Sequence, residues 1–330
     1  MGRVVAVCNL KGGIGKTTTV VNLGAGLAHK GARVLLVDTD AQGNLAMALG
    51  VRPRRTIYEV LVDGAAAADC LTPARPNLDL LAADHALLGA TAEITRRPDW
   101  SRALERGLRP IVGRYDFILV DSGGSLTPLN VNALMAASDV IAPTTVEPFS
   151  IKGLEMLFSQ VSRVKGSGRS IRAIVPTMYD PRSRQSVDLL AELRARYGSL
   201  VAPPVRVNVR LSEAPAQGRT IYEHDPRSRG AADYAVLVEH ISALFGFQPP
   251  RDEQPVRDQP AAATPHAAGA APSLVTRPAP TTNAHSPAPL PDHCPNCGRE
   301  LRYATLAGYR VAYCDHCRYK AQTLAGGPRR

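Results

Sequence analysis

The chain has 330 residues, 45% of them apolar and 21% charged, with a formal net charge of +10. These are ordinary values for a globular protein of one large or two smaller domains, and the positive balance suits a polyanionic partner without choosing between nucleic acid and a membrane surface. No run of about 18 apolar residues occurs, and the opening MGRVVAVCNL has no signal-peptide pattern, so neither a membrane span nor secretion is expected.

In chain order, short apolar runs at 4–7, 34–37, 78–81, 117–120, 140–142 and 171–175 predict buried parallel strands. Helical patterns fall at 16–30, 101–113, 150–164, 186–197 and 228–245. This repeated β-α order predicts an α/β fold, a doubly wound and mostly parallel sheet with right-handed crossovers, whose ligands bind beyond the carboxyl ends of the strands. The domain is expected to span residues 1–247. Residues 248–292 hold 11 of the 27 prolines and few large apolar side chains, the composition of a disordered linker. A cysteine-bearing module follows at 293–330, the most basic part of the chain for its length.

The stretch KGGIGKTT at 11–18 lies between the first strand and the first helix, the setting of a phosphate-cradling loop. Gly12, Gly13 and Gly15, with Ile14 between them, let backbone amides curl around phosphate oxygens. Lys16 supplies a point charge, the Thr17 hydroxyl suits Mg²⁺, and Ile14 and Thr18 complete the set of nucleotide-binding residues expected in the loop. The strict loop pattern needs a glycine where Leu10 stands, and the additional Lys11 is placed to reach a phosphate of its own site or of a neighbouring subunit. Asp38 and Asp40 flank the end of the second strand, where a carboxylate orients an attacking water or holds the waters of Mg²⁺. Asp121, ending the strand at 117–120, suits Mg²⁺ binding through water.

Lys11 matches the signature lysine of the deviant Walker A group, and residues 3–246 resemble the ParA/MinD superfamily of partitioning ATPases, nearest its short, Soj-like ParA branch. The resemblance rests on KGGIGKTT, VLLVDTDAQGN (34–44), ILVDSGGSL (118–126), NVRLSEAP (208–215) and YEHDPRSRGA (222–231). It implies ATP and Mg²⁺ as cofactors, Asp40 as the residue needed for hydrolysis, and an ATP-bound homodimer in which Lys11 reaches the partner's nucleotide. It further implies nonspecific DNA binding in the ATP form, a ParB-like centromere-bound partner that stimulates slow turnover, and a cytoplasmic, nucleoid-associated location. Asp40-Ala41-Gln42 and Asp121-Ser122-Gly123-Gly124 lack the family's prolines, which loosens both switch loops. Gly124 then offers an amide for the γ-phosphate. Arg206 replaces the family's proline near the adenine, leaving Asn208 as a base contact.

Arg182, Arg184, Arg210, Arg219 and Arg227 form the candidate DNA face, and Arg182 matches a position used for nonspecific DNA binding in Soj-like ATPases. Local pairs of Arg227 or Arg229 with Asp225 or Asp233 are the bland alternative. No helix-turn-helix segment precedes the phosphate loop, and prolines directly after Phe247 leave no amphipathic membrane helix at the end of the domain.

In the tail, Cys294-x-x-Cys297 and Cys314-x-x-Cys317 stand at the spacing of a structural Zn²⁺ ribbon; iron is the alternative, and His293 and His316 are substitute ligands. The interleaved arginines and tyrosines of this module suit DNA or an acidic partner, whose identity the sequence leaves open. Cys8 reads as a buried small hydrophobe and Cys70 as a loop residue. Two other activities fit the same motifs: positioning of another cargo through the tail, or Fe–S cluster delivery.

Overall fold

The structure is a computed structural model and describes residues 2–125, 127–249, 292–306, 309–314, 316–317 and 319–324. The chain divides into two compact units, and the boundary between them lies outside the described residues. Most of the stretch expected to be a linker lies outside them as well.

Strands and helices alternate through the first unit. They run β1 (Arg3–Val7), α1 (Lys16–His29), β2 (Val34–Asp38), α2 (Asn44–Leu49), α3 (Ile57–Leu61), β3 (Thr72–Arg75), β4 (Leu78–Leu81), α4 (Leu87–Thr95), α5 (Ala103–Leu108) and β5 (Phe117–Asp121). There follow α6 (Pro128–Ala136), β6 (Asp139–Thr145), α7 (Ser150–Lys165), β7 (Ile171–Thr177), α8 (Arg184–Tyr197), α9 (Val209–Glu213), α10 (Ile221–His224) and α11 (Arg229–Phe245). The sheet order is β3-β4-β2-β5-β1-β6-β7. Every neighbouring pair is parallel except β3, an antiparallel edge strand on β4.

Because successive side chains leave a strand on opposite faces, the inner strands feed two cores. Val4, Ala6, Leu35, Val37, Ile118 and Val120 pack with Leu104, Leu129 and Leu154 on one face. Val5, Val7, Leu36 and Leu119 pack with Leu23, Leu27, Tyr234 and Leu237 on the other. Burial on both faces explains why the strands read as unbroken apolar runs.

All six predicted strands are present, with β6 and β7 continuing through Thr145 and Thr177, because their ladder persists past the apolar stretch. The helix expected over 101–113 is shorter. Only Ala103–Leu108 is α-helical, between two short 3₁₀ turns. Arg109 keeps helical backbone (φ −48°, ψ −41°), and Pro110, which has no N–H to donate, ends the α-helix. Cys70, expected in a loop, is buried in a 3₁₀ turn over Ala67–Cys70.

Two ion pairs also differ from the reading of the sequence. Asp233 is held by Arg206, whose Nη2, Nε and backbone N–H donate to it at 2.6 to 3.1 Å, and Asp225 takes Arg210 at 3.4 Å. Arg206 thus ties the segment after β7 to α11, so Arg206→Ala, which strands a nearly buried carboxylate, is expected to cost about 1–2 kcal/mol in chemical denaturation. An unshifted midpoint would show that the pair contributes nothing.

In the second unit β8 (Arg302–Leu306), β9 (Tyr309–Tyr313) and β10 (Lys320–Leu324) form an antiparallel sheet in the order β10-β9-β8.

Candidate nucleotide site

The phosphate loop joins the end of β1 to α1. Gly15 is the N-cap of α1 at φ +84°, and Gly13 sits at φ +69°, left-handed backbone that disfavours other residues. No side chain caps the helix, so its first amides stay available to an anion, reinforced by the helix dipole. Lys16 is buried and its Nζ donates to the Lys11 carbonyl at 2.7 Å, curling the loop. Burial lowers the Lys16 pKa, opposed by Asp121 and Asp40.

β2 and β5 pair in register, which sets Asp38 beside Asp121 at the strand ends. Asp121 Oδ2 accepts from Thr17 Oγ1 at 2.7 Å, and Oδ1 is buried without a partner. Burial and the neighbouring Asp38 charge push the Asp121 pKa up to about 8, and burial raises Asp38 to about 7. An orphaned carboxylate oxygen beside a threonine hydroxyl at the head of the loop fits a hard divalent cation such as Mg²⁺. Asp38 acts on the backbone instead, its oxygens accepting from the amides of Asp40 and Leu45 and so pinning the loop between β2 and α2.

On that loop Asp40 lines the phosphate cavity, with Oδ1 accepting from the Gln42 amide at 3.0 Å. The cavity holds about 450 Å³ and is lined by Gly12, Lys16, Thr17, Asp40, Ser122 and Gly124 among others. Gly124 packs so closely on the phosphate loop that a Cβ there would lie 3.1 Å from Gly12 Cα. Asn130 braces the proline-free switch: Oδ1 accepts from Gly123 N–H, and Nδ2 donates to the Gly123 and Ser125 carbonyls. Sequence reasoning passed over Asn130, although a buried asparagine facing a glycine-rich loop is the residue type for such bracing.

Met178, Gly15 and Thr18 are shared with a more apolar cavity of about 320 Å³ that also takes in Val205, Arg206, Asn208 and Tyr234. Asn208 caps α9, its Oδ1 accepting from Arg210 N–H. A polar chamber opening into an apolar one has the character of a nucleotide site, phosphates first and base second.

Lys11 lies outside the loop's curl. Its Nζ donates to Glu147 Oε2 at 2.8 Å and to Thr145 Oγ1 at 3.4 Å, at the carboxyl end of β6. The Lys11 ammonium holds the Glu147 carboxyl below its usual range. Both side chains are about half exposed, and nothing in the sequence marks Glu147 as the lysine's partner.

The candidate DNA arginines divide by pairing. Arg182 is forked onto Asp180, and Arg210 pairs with Glu213 and Asp225. Arg184 is 97% exposed with only a 3.9 Å contact to Asp188. Arg219 and Arg227 make no ion pair among the described residues, and Arg219 borders a cleft with Thr17, Thr18 and Asn44 behind the phosphate loop. No described helix is long and apolar enough to cross a membrane. In the second unit the four predicted cysteines come together, their sulfurs within 4.8 Å of one another, a group that could hold a metal ion.

A doubly wound parallel sheet with a phosphate loop after β1 and carboxylates ending β2 and β5 defines a P-loop ATPase. The profile of the AAA_31 family, described as an AAA domain, matches residues 2–173. The chain is 38% identical over 251 residues to the sporulation initiation inhibitor protein Soj of Bacillus subtilis, covering 74% of this chain and 99% of that protein. To the chromosome-partitioning ATPase Soj of Thermus thermophilus it is 41% identical, with 73% and 96% covered. Among solved structures it resembles a cobyrinic acid a,c-diamide synthase from Mycobacterium smegmatis with bound ATP analogue and magnesium (TM-score 0.63, 33% identity, 72% and 93% covered). It also resembles the septum site-determining protein MinD with Mg-ADP from Pyrococcus horikoshii (TM-score 0.62, 25% identity, 74% and 98% covered). The chain belongs to the ParA/MinD superfamily of P-loop ATPases, in its Soj-like ParA branch.

Two outcomes follow from this geometry. In metal-free, nucleotide-free protein, Asp121 keeps its proton up to about pH 8, whereas an unfolded aspartate loses it near pH 4. The folded state therefore binds more protons in that window and loses stability as pH rises through it. Asp121→Asn should gain thermal stability over the wild type between pH 5 and pH 9, and parallel curves would contradict the assignment. Asn130→Ala should weaken ADP binding several-fold in calorimetry by releasing the 122–125 segment from the phosphate loop, and unchanged affinity would show that the brace is idle.

Proposed function

We propose that this protein is an ATP-dependent dimerising switch that binds DNA without sequence preference in its ATP form, and that its hydrolytic cycle moves a chromosome or plasmid. The observation that carries the reading is Lys11. The phosphate loop is complete around Lys16, yet the second lysine stands at its rim with its ammonium parked on Glu147. A half-exposed pair of this kind contributes little stability, so the lysine is easily transferred to the polyphosphate of a second copy.

Each group then has a role. The loop amides and Lys16 neutralise the β- and γ-phosphates. Thr17 and Asp121 would hold Mg²⁺, which would withdraw charge from the phosphates on which bond breaking depends. Asp40, held by the Gln42 amide, orients water against the γ-phosphate. Asp38 couples the arrival of the phosphate to α2 through Leu45. Products are ADP and phosphate, formed slowly until a ParB-like partner stimulates the step. Dimerisation joins two sets of arginines, so that the second DNA contact becomes effectively intramolecular and binding follows the nucleotide state. The names of the Soj and ParA relatives support the partitioning role. The clustered cysteines all belong to the second unit and none to the unit that carries the phosphate loop, which disfavours cluster delivery.

The test is retention of the full chain on nonspecific duplex DNA across a salt series with ATP, ADP or no nucleotide. Binding should require ATP, strengthen in Asp40→Ala, and show a log–log salt slope that flattens by about 0.9 for each phosphate no longer neutralised, as in Arg219→Ala or Arg184→Ala. Arg182 and Arg210, already paired with acids, should weaken binding less when replaced by alanine. Binding indifferent to nucleotide would overturn the switch.

A further inference from the structure

The second unit lies outside the matched family profile, which ends at residue 173. We propose that Cys294, Cys297, Cys314 and Cys317 bind one Zn²⁺ as a closed tetrathiolate, and that this ion is what folds the unit.

Three observations converge. First, the sulfurs are placed for one ion. Cys294 and Cys317 Sγ lie 3.2 Å apart, Cys297 and Cys314 Sγ 3.5 Å apart, and all four fall within 4.8 Å. A tetrahedron with Zn–S bonds of about 2.3 Å has edges near 3.8 Å. A disulfide needs about 2.05 Å, and all four cysteines are free.

Second, both Cys-x-x-Cys turns aim backbone amides at sulfur. The Asn296 and Cys297 amides donate to Cys294, that of Arg299 to Cys297, those of His316 and Cys317 to Cys314, and that of Tyr319 to Cys317. Gly298 at φ +72° closes the first turn with its N–H on the Cys294 carbonyl at 2.8 Å, and Cys294 N–H returns to Arg299 O at 2.7 Å. Cys314 N–H makes the corresponding bond to Tyr319 O at 2.9 Å. Six N–H donors directed at four sulfurs form an environment for thiolates, the form in which cysteine binds metal.

Third, among its described residues the unit has almost nothing else to fold around. Its described buried core is Cys294, Leu301, Ala312 and Cys314, with Tyr303, Cys317 and Tyr319 packed against it. A core of this size does not stabilise a small module without a staple, and binding free energy at a structural zinc site is folding free energy. His293 and His316 are both exposed and are not needed to complete the shell. With four sulfur ligands no position is left for a reacting water, so the site is structural.

The experiment uses the purified full chain. Elemental analysis should find about one zinc per chain, and reconstitution of metal-stripped protein with Co²⁺ should give the visible absorption of a tetrahedral cobalt thiolate. Cys297→Ser and Cys314→Ser should each reduce bound zinc at least tenfold and make the C-terminal unit protease-sensitive. ADP affinity should stay within twofold of the wild type, which shows that the first unit remains folded. Stoichiometric iron, a pair of disulfides, or a metal-free chain whose tail resists protease as the zinc-loaded one does would each overturn the proposal.

Discussion

The arrangement at the end of the sheet depends on one buried carboxylate oxygen. Asp121 terminates a fully buried strand beside a second aspartate, with Thr17 satisfying one of its oxygens and nothing satisfying the other. In an apolar setting such a group must either retain a proton or meet a cation. A retained proton suppresses its charge, and a divalent ion bound with nucleotide would relieve both the desolvation and the repulsion from Asp38. Binding would thus be linked to the electrostatics of the strand ends as well as to the loop amides.

The switch segments are braced around that point by polar side chains in place of proline. Asp38 holds the loop before α2 by two amides, Asn130 holds the loop after β5, and Thr39 donates to the Asp121 carbonyl at 2.6 Å. Proline would stiffen these loops through the unfolded chain's entropy. Side-chain hydrogen bonds stiffen them through the folded state, and can be exchanged when phosphate arrives. Gly124 completes the fit, since its contact with Gly12 tolerates no side chain without a shift of backbone.

Most of the sheet was legible because strands buried on both faces leave uninterrupted apolar runs, and the phosphate loop because glycine, lysine and threonine stand between a strand and a helix. The short helices α2, α3, α9 and α10 have too few turns to show a period, although the Thr56–Glu59 and Thr220–Glu223 capping boxes mark two of their starts. Edge strand β3, Thr72–Arg75, carries a proline and little apolar character, and is held from outside by the Arg75–Glu223 pair. At the site, residues defined by local motif could be read directly. Glu147, Asn130 and the Arg206–Asp233 clamp depend on contacts across more than one element, which spacing along the chain does not encode. The pairing of Arg182 and Arg210 with acids is of the same kind: arginine count indicates charge, and only the fold shows which charge is already neutralised.

On the proposed cycle Lys11 leaves Glu147 to complete a second subunit's nucleotide site. Sedimentation velocity with ATP and Mg²⁺ in an Asp40→Ala background tests it directly, comparing chains that carry Lys11, Lys11→Ala, or Glu147→Gln. The expected result is a dimer with Lys11 present, a monomer that still binds ATP with Lys11→Ala, and dimerisation at lower protein concentration with Glu147→Gln. A dimer of equal strength in all three chains would contradict it.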